Sequence, residues 1–305
     1  MQPSNSHATH VSKIVETLAQ SAHWLKNHDE AADMPHLPSR EEIHDVIELL
    51  RSLLFPGYFG LSDVTADFLR YRLGSLLEET TRRLRTQILS SLRFAGSEEQ
   101  TNAETRAELV VSEFIAQLPH IKTLLAEDVR EAYNGDPACA SEDEAIFCYP
   151  GIQAMTNHRI AHSLSALNVP LLPRIISEQA HSITGIDIHP KAHIGPGLFI
   201  DHGTGVVIGE TCTIGKRVKI YQGVTLGAKS FPLDEHGNPI KGIPRHPQIE
   251  DDVIIYSGAT ILGHITIGKG SVIGGNVWLT HSVPPKSRVF QRAPREDSHE
   301  DGAGI

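Results

Sequence analysis

The sequence predicts an α+β protein in which an all-helical N-terminal region precedes a left-handed parallel β-helix of hexapeptide repeats. Two observations predict this fold. Up to about residue 180, apolar residues recur at steps of three and four, the period of an amphipathic helix. From about residue 185 the apolar period changes to six, which neither an α-helix nor a simple strand produces. We divide the chain into a helical domain (1–184), a β-helix domain (185–290) and a flexible polar tail (291–305).

Four segments of the helical domain carry the helical pattern, at 61–94, 103–133, 149–168 and 171–184. We expect Ser62 or Asp63 to cap the first of them, and Pro119 to break or kink the second. In the first 60 residues the pattern is weaker, and it predicts only one helix near residues 10–27, followed by a proline-containing linker, DMPHLPS. The role of these 60 residues stays open.

The β-helix domain contains two apolar rows. The first row advances in six-residue steps through Ile188, Ile194, Ile200, Val206, Cys212, Val218 and Val224. The second row contains Ile208, Ile214, Ile220 and Leu226, and glycines follow three of these at positions 209, 215 and 227. Three hexapeptide sides would complete a triangular coil of about 18 residues, which advances by one strand spacing of roughly 4.8 Å. We expect the rows to fill the prism and the glycines to allow corners with positive φ.

One interruption breaks the repeat between Leu226 and Ile255, because the 29-residue step is not a multiple of six. Residues 228–248 contain prolines and charged residues, so we expect them to leave the prism as a loop. Long loops of this kind are usually functional.

The composition limits the classes of function. The net charge is −10, from 27 basic and 37 acidic residues, which argues against a nucleic-acid binder. The three cysteines, Cys139, Cys148 and Cys212, cannot form a disulfide framework and indicate a reducing compartment. Neither a signal peptide nor a run of about 18 apolar residues is present, so we expect a cytoplasmic protein without a membrane span.

One histidine stands out, His202 in the segment IDHGTGVVIGET (200–211). A neutral imidazole near pH 7 is the usual general base in enzymes, and Asp201 and Gly203 flank this one. The same residues would equally suit a polar corner of a rigid frame. Local sequence alone leaves both interpretations open.

Four short motifs resolve this choice, because they occur together and in a fixed order. They are Asp-Ile-His-Pro, Asp-His-Gly-Thr-Gly, Gly-Glu-Thr and Arg-His-Pro, within residues 185–227 and 245–263. Together with NGDPA at 134–138, they resemble the serine O-acetyltransferases. This resemblance implies transfer of acetyl from acetyl-CoA to the hydroxyl of L-serine, in cysteine biosynthesis.

The resemblance also implies roles for individual residues. His202 would be the general base that takes the proton of the serine hydroxyl, and Asp187, fifteen residues earlier, would orient its ring. Asp136 and Asp201 would hold the amino group of serine. A carboxylate on the second ring nitrogen would fix the tautomer and stabilise the imidazolium as it forms, as in serine hydrolases.

Further implied residues would bind the rest of the two substrates. Arg245 and His246 would meet the carboxylate of serine, which a guanidinium matches with two parallel hydrogen bonds. Acetyl-CoA would lie between neighbouring subunits, with backbone contacts near Ala228 and Ser257. No metal is expected. The donor for the oxyanion of the tetrahedral intermediate is not evident from the sequence.

The family resemblance implies a homotrimer, or a hexamer in which the helical domains join two trimers. It also implies that the tail binds cysteine synthase through its terminal residue, Ile305, although a frayed terminus explains the tail equally well. The loop is longer than in compact bacterial relatives, through residues 231–243.

Other functions compatible with the repeat are an acetyltransferase for another acceptor, a zinc carbonic anhydrase of the same fold, or a non-catalytic scaffold for cysteine synthase. The carbonic anhydrase needs three histidines that converge on zinc. His189 and His193 are four residues apart, which does not place two rings on one face of a six-residue coil, so we interpret both as corner residues.

Overall fold

The computed structural model describes residues 5–20, 37–60, 66–96 and 100–291, and it confirms the predicted order of a helical region and a parallel β-solenoid. Within these ranges seven helices precede the first strand. They are α1 (Asn5–Gln20), α2 (Arg40–Leu54), α3 (Ala66–Ala95), α4 (Gln100–Gly135), α5 (Glu142–Cys148), α6 (Pro150–Ala166) and α7 (Leu172–Thr184). The expected capping residues Ser62 and Asp63, part of the linker, residues 21–27 and the tail from residue 292 lie outside the described residues.

Two helices were not predicted. Helix α2 begins after Ser39, whose hydroxyl accepts the backbone N–H of Glu42, and its buried stripe faces the helical core. Helix α5 begins in the same way after Ser141, which accepts the N–H of Glu144. Both starts have the sequence Ser-x-x-Glu, a signature of helix N-termini that does not depend on periodicity.

Helix α4 contains Pro119 but continues to Gly135, so the proline does not end the helix as a break would. By length and composition this helix is apolar enough to cross a membrane, although the sequence led us to expect no such segment. Core helices commonly meet the same criterion. In α4, Val110, Phe114 and Leu125 are buried in the core that the helices share with the solenoid.

The solenoid consists of short strands in three parallel sheets. The strands are β1 (Asp187–Ile188), β2 (His193–Ile194), β3 (Phe199–Asp201), β4 (Val207–Ile208), β5 (Thr213–Ile214), β6 (Lys219–Tyr221), β7 (Thr225–Gly227), β8 (Gln248–Ile249), β9 (Ile254–Ile255), β10 (Thr260–Leu262), β11 (Thr266–Ile267), β12 (Val272–Ile273), β13 (Trp278–Leu279) and β14 (Arg288–Val289). The first sheet has the order β1-β4-β7-β10-β13, the second β2-β5-β8-β11, and the third β3-β6-β9-β12-β14. The chain therefore visits the three sheets in turn, once per coil.

The strand register corrects the first predicted apolar row. The regular coils hold 18 residues, as between Ile208 and Leu226 and between Ile261 and Leu279, but Ile188 pairs with Ile208 and Ile200 with Ile220, each twenty residues on. The two extra residues lie between β3 and β4, since Val207 and Thr225 are again 18 apart. The predicted row from Ile188 to Val224 therefore changes column at this corner.

The glycines after the second row are needed for a different reason from the one predicted. Gly209, Gly215 and Gly227 do not have positive φ. A Cβ atom on Gly209 would overlap the ring of His246, and one on Gly215 would overlap Asp251. These glycines allow close approach between successive coils.

A buried ion pair attaches the helices to the first coil. Arg159 of α6 donates two hydrogen bonds to Asp128 of α4, at 2.6 and 2.7 Å, and both side chains are almost fully buried. The same carboxylate accepts the backbone N–H groups of Gly197 and Leu198 in the solenoid. The guanidinium also donates to the carbonyl of Gly195. The position of α4 is thereby tied to the coil that carries β3.

Candidate active site

The sequence-predicted site residues lie at two corners of the prism, on opposite edges of the first sheet. One corner, between the third and first sheets, is called the His202 corner; the other, between the first and second sheets, is called the Arg245 corner. The His202 corner holds Asp136, Asp187, Asp201, His202 and Ser257, and the Arg245 corner holds Ala228, Arg245 and His246. Within a single chain, the two halves of the predicted serine site therefore lie at different corners.

His202 occupies the corner that the two extra residues create. Its φ is 58°, in the left-handed region that non-glycine residues seldom adopt, and Gly203 and Gly205 beside it also have positive φ. Its side chain is 70% exposed, and its Nε2 lies 3.7 Å from Oδ2 of Asp201. Arg217, Asp252 and Asn276 have a similar φ at other corners, so the exposed imidazole beside a carboxylate, and not the backbone conformation alone, makes this corner a candidate site.

Asp187 lies at the start of β1, where its backbone N–H donates to the carbonyl of Val206. Among the described residues no hydrogen bond joins its carboxylate to His202, and Asp201 is the carboxylate that the structure places within ion-pair distance of the ring. Orientation of the ring by Asp187 stays a prediction.

Asp136 follows the end of α4 and already has two hydrogen-bond donors. Its Oδ2 accepts the hydroxyl of Tyr149 at 2.5 Å, and its Oδ1 accepts the N–H of Ala138 at 2.8 Å. Both bonds lower the pKa of Asp136, the bond from Tyr149 more than the bond from Ala138, and the nearby His202 lowers it further. Burial and the same contact raise the pKa of Tyr149. The carboxylate is therefore ionised at neutral pH and suits an ammonium group.

An aromatic column continues from Asp201 along this corner. Asp201 pairs in register with Tyr221 of the next coil, and the rings of Tyr221 and Tyr256 stack with centroids 5.1 Å apart. Burial raises the pKa of Tyr221, and Tyr256 and the carboxylates of Asp201 and Asp136 add to this. Ser257 follows directly. The sequence does not single out these tyrosines, because outward-facing residues leave no trace in the apolar rows.

At the Arg245 corner, a carboxylate holds the guanidinium. Glu210 accepts a 2.6 Å hydrogen bond from Nη2 of Arg245 and a 3.1 Å bond from Nζ of Lys191. Burial alone would raise the pKa of Glu210, but these two bonds lower it to about 2. Glu210 thus stays ionised and orients Arg245.

The ring of His246 is buried at the same corner, directly against Gly209. Burial, and then the charge of Arg245, lower the pKa of His246, so its imidazole is neutral at pH 7. A neutral donor beside a guanidinium is compatible with a substrate carboxylate.

The two predicted coenzyme residues follow the same division. Ala228 follows β7 at the Arg245 corner, and Ser257 follows β9 at the His202 corner.

Within the described ranges no group of three or more His, Cys, Asp or Glu side chains is placed to hold a metal ion. His193 packs edge-on against the ring of His162, and burial lowers the pKa of His189 to about 4.

Comparisons with known proteins agree with this architecture. Residues 246–281 match the family model "Bacterial transferase hexapeptide (six repeats)", and residues 205–231 match "Hexapeptide repeat of succinyl-transferase". The plasmid serine acetyltransferase of Synechococcus elongatus is 52% identical over 299 residues, which cover 96% of this chain and 94% of that protein.

Two solved structures from Entamoeba histolytica are similar as well. Serine acetyltransferase isoform 3 in complex with cysteine is 34% identical, with a TM-score of 0.72 over 98% of this chain and 97% of that one. Serine acetyltransferase 1 in complex with L-cysteine is 37% identical, with a TM-score of 0.71 over 80% and 86% of the two chains. With a relative of this identity over almost its whole length, the chain belongs to the serine acetyltransferase family and is an acyltransferase of class EC 2.3.1.30.

Proposed function

We propose that the chain acetylates the hydroxyl of L-serine from acetyl-CoA, with His202 as general base and Asp187 as the residue that orients its ring. The observation that carries this proposal is the corner itself. Two extra residues and a left-handed φ present an exposed imidazole next to carboxylates, on an otherwise regular frame.

The reaction uses few groups. Nε2 of His202 takes the proton of the serine hydroxyl while the oxygen attacks the thioester carbon of acetyl-CoA. The tetrahedral intermediate then expels the CoA thiolate, which recovers the proton from the imidazolium, and O-acetyl-L-serine remains. A carboxylate beside the ring stabilises the transient imidazolium.

The charges at the two corners match the two ends of an amino acid. Asp136 and Asp201 offer carboxylates to the ammonium group, whereas Arg245 and His246 offer donors to the carboxylate. Since one chain holds these sets on different corners, the complete site forms where the His202 corner of one protomer meets the Arg245 corner of the next. Cyclic closure then repeats the site identically, in a homotrimer or in a hexamer of two trimers.

The same seam would accommodate acetyl-CoA, with Ala228 from one protomer and Ser257 from its neighbour. L-cysteine has the shape of serine with sulfur in place of oxygen, so it would occupy the serine pocket and inhibit. We further propose a cytoplasmic enzyme whose tail binds cysteine synthase through Ile305. Loss of Ile305 should abolish that binding, and unchanged affinity would contradict it.

The base is tested by His202→Ala, which should lower turnover by about 10²–10⁴-fold, the usual contribution of a general base. Asp187→Asn should cost less. Oligomer size, measured by light scattering, should not change in either variant. Near-normal turnover of His202→Ala would overturn the assignment.

The shared site is tested by mixing protomers. Chains with His202→Ala and chains with Arg245→Ala, each inactive alone, are co-expressed in equal amounts. About a quarter of the seams then receive both native residues, so about a quarter of wild-type turnover should return. A preparation in which every chain carries both substitutions should recover no turnover. If the mixture stays inactive, each site lies within one protomer.

A further inference from the structure

We propose that Thr211 is a positioning residue, which anchors Arg245 and His246 and determines which ring nitrogen of His246 carries the proton. This inference rests on the proposed function, in which these two residues bind the carboxylate of serine. Thr211 belongs to the Gly-Glu-Thr motif, but the motif alone assigned it no task.

The first observation is that one hydroxyl anchors the end of the long loop. Oγ1 of Thr211 accepts the backbone N–H of Arg245 at 2.9 Å and that of His246 at 3.2 Å. These residues close the loop just before β8, whereas Thr211 stands on the preceding coil just before β5. The hydroxyl therefore fixes the backbone from which both side chains project.

The second observation concerns the imidazole. The backbone N–H of Thr211 donates to Nδ1 of His246 at 3.1 Å, and Oγ1 lies 2.8 Å from the same nitrogen. A backbone N–H can only donate, so Nδ1 is an acceptor and the neutral ring carries its proton on Nε2. Because Oγ1 already accepts two amides, its own proton is directed to Nδ1.

The third observation is that the ring has no room to turn. His246 is 6% exposed, and its ring occupies the space that a side chain at position 209 would need. Its pKa is lowered, first by burial, so the ring remains neutral while Nε2–H donates. The result is a fixed, uncharged donor beside the Arg245 guanidinium, which gives directionality to the recognition of a carboxylate.

Kinetics test the anchoring role. Thr211→Val removes the hydroxyl at nearly constant volume and should raise the KM for serine about tenfold, with little change in kcat or in the KM for acetyl-CoA. Thr211→Ser keeps the hydroxyl and should restore the KM to within about twofold. Thr213→Val changes an exposed threonine of the same coil and should have no effect. An unchanged serine KM in Thr211→Val would overturn the proposal.

A spectroscopic measurement tests the tautomer without relying on activity. In enzyme labelled with ¹⁵N-histidine, with the His246 signals assigned by their loss in His246→Gln, the proton should reside on Nε2 at pH 7. In Thr211→Val the pKa of this ring should rise towards its ordinary value, because one donor to the neutral form is lost.

A proton on Nδ1 in the wild type would overturn the inference whatever the kinetics. If the Nε2 tautomer is found but His202→Ala retains turnover, the proposed function fails while the role of Thr211 in fixing the ring stands. The two outcomes are therefore separable.

Discussion

The buried pair of Asp128 and Arg159 allows a stability prediction with a worked magnitude. Replacing Arg159 with methionine keeps an unbranched apolar chain but removes the charge and the donors. Asp128, whose side chain is 0% exposed, then keeps only the backbone N–H groups of Gly197 and Leu198 as partners. Burial already raises the pKa of Asp128, and Arg159 is the main opposing influence. The carboxylate must therefore take up a proton or stay buried without its counter-ion.

Removal of one member of a buried pair costs about 3–5 kcal/mol. At about 2–4 °C per kcal/mol for a chain of this order of size, Tm should fall by roughly 6–20 °C. A double variant, Asp128→Leu with Arg159→Met, should not regain the lost stability. Replacing both members of a buried pair with apolar residues is often neutral, but not here. Here the N–H groups of Gly197 and Leu198 would lose their acceptor, at about 1–3 kcal/mol each.

The assay is thermal and urea unfolding of both variants, with the serine KM measured alongside. Arg174→Met is the matched control, since it breaks an exposed pair with Glu178 on α7 and should change stability by less than about 1 kcal/mol. The KM for serine should rise in both pair variants and not in Arg174→Met, because Asp136 follows the same end of α4 that carries Asp128. Wild-type stability in either pair variant would refute the reasoning.

Three further predictions concern single side chains. Gly209→Ala should push the ring of His246 out of place and raise the KM for serine about tenfold, because overpacking costs about 1–3 kcal/mol. Tyr149→Phe should raise the pKa of Asp136 and weaken serine binding without changing the KM for acetyl-CoA. His189 has a pKa of about 4 when folded, so the unfolded chain alone binds its proton between pH 6.5 and 4, and stability should fall as the pH drops through this window. His189→Asn should therefore show a smaller loss in urea titrations across that range.

Exposed or unpacked positions provide the controls for these three variants. Gly74→Ala adds a methyl group on α3 where no atom beyond the adjoining helix backbone lies within 4 Å, and it should leave the serine KM unchanged. Tyr133→Phe removes an exposed hydroxyl, and His236→Asn removes an exposed imidazole in the long loop. Equal effects in a variant and its control would contradict the corresponding prediction.

Periodicity predicted the helices whose apolar stripes are long, and it missed those that depend on contacts far along the chain. Helices α3, α4, α6 and α7 follow the predicted segments closely. Helix α2 was missed because its 15 residues follow prolines, and its apolar face is stabilised by packing against α3 and α7. The capping sequences Ser-x-x-Glu at Ser39 and Ser141 were the available signal for α2 and α5.

The candidate site was predictable in its polar motifs but not in the contacts that hold them. Motifs name Asp136, Arg245 and His246, yet Tyr149 and Thr211, which bond to them, belong to other segments. Hydrogen bonds between distant residues leave no regular spacing in a sequence. The division of the site between two corners likewise follows from the coil geometry.

The two-residue insertion enlarges the His202 corner, but it does not interrupt the apolar pattern of the sequence. Each side of the prism has inward positions two residues apart, so an insertion of two residues moves the chain from one inward column to the other. Val206 and Ile208 remain buried after it, and Val207 between them faces outward. An insertion of one residue would have reversed every following side chain. A corner can therefore be enlarged to carry an exposed histidine without loss of core packing, and the strand pairings twenty residues apart, such as Ile188 with Ile208 and Ile200 with Ile220, reveal it.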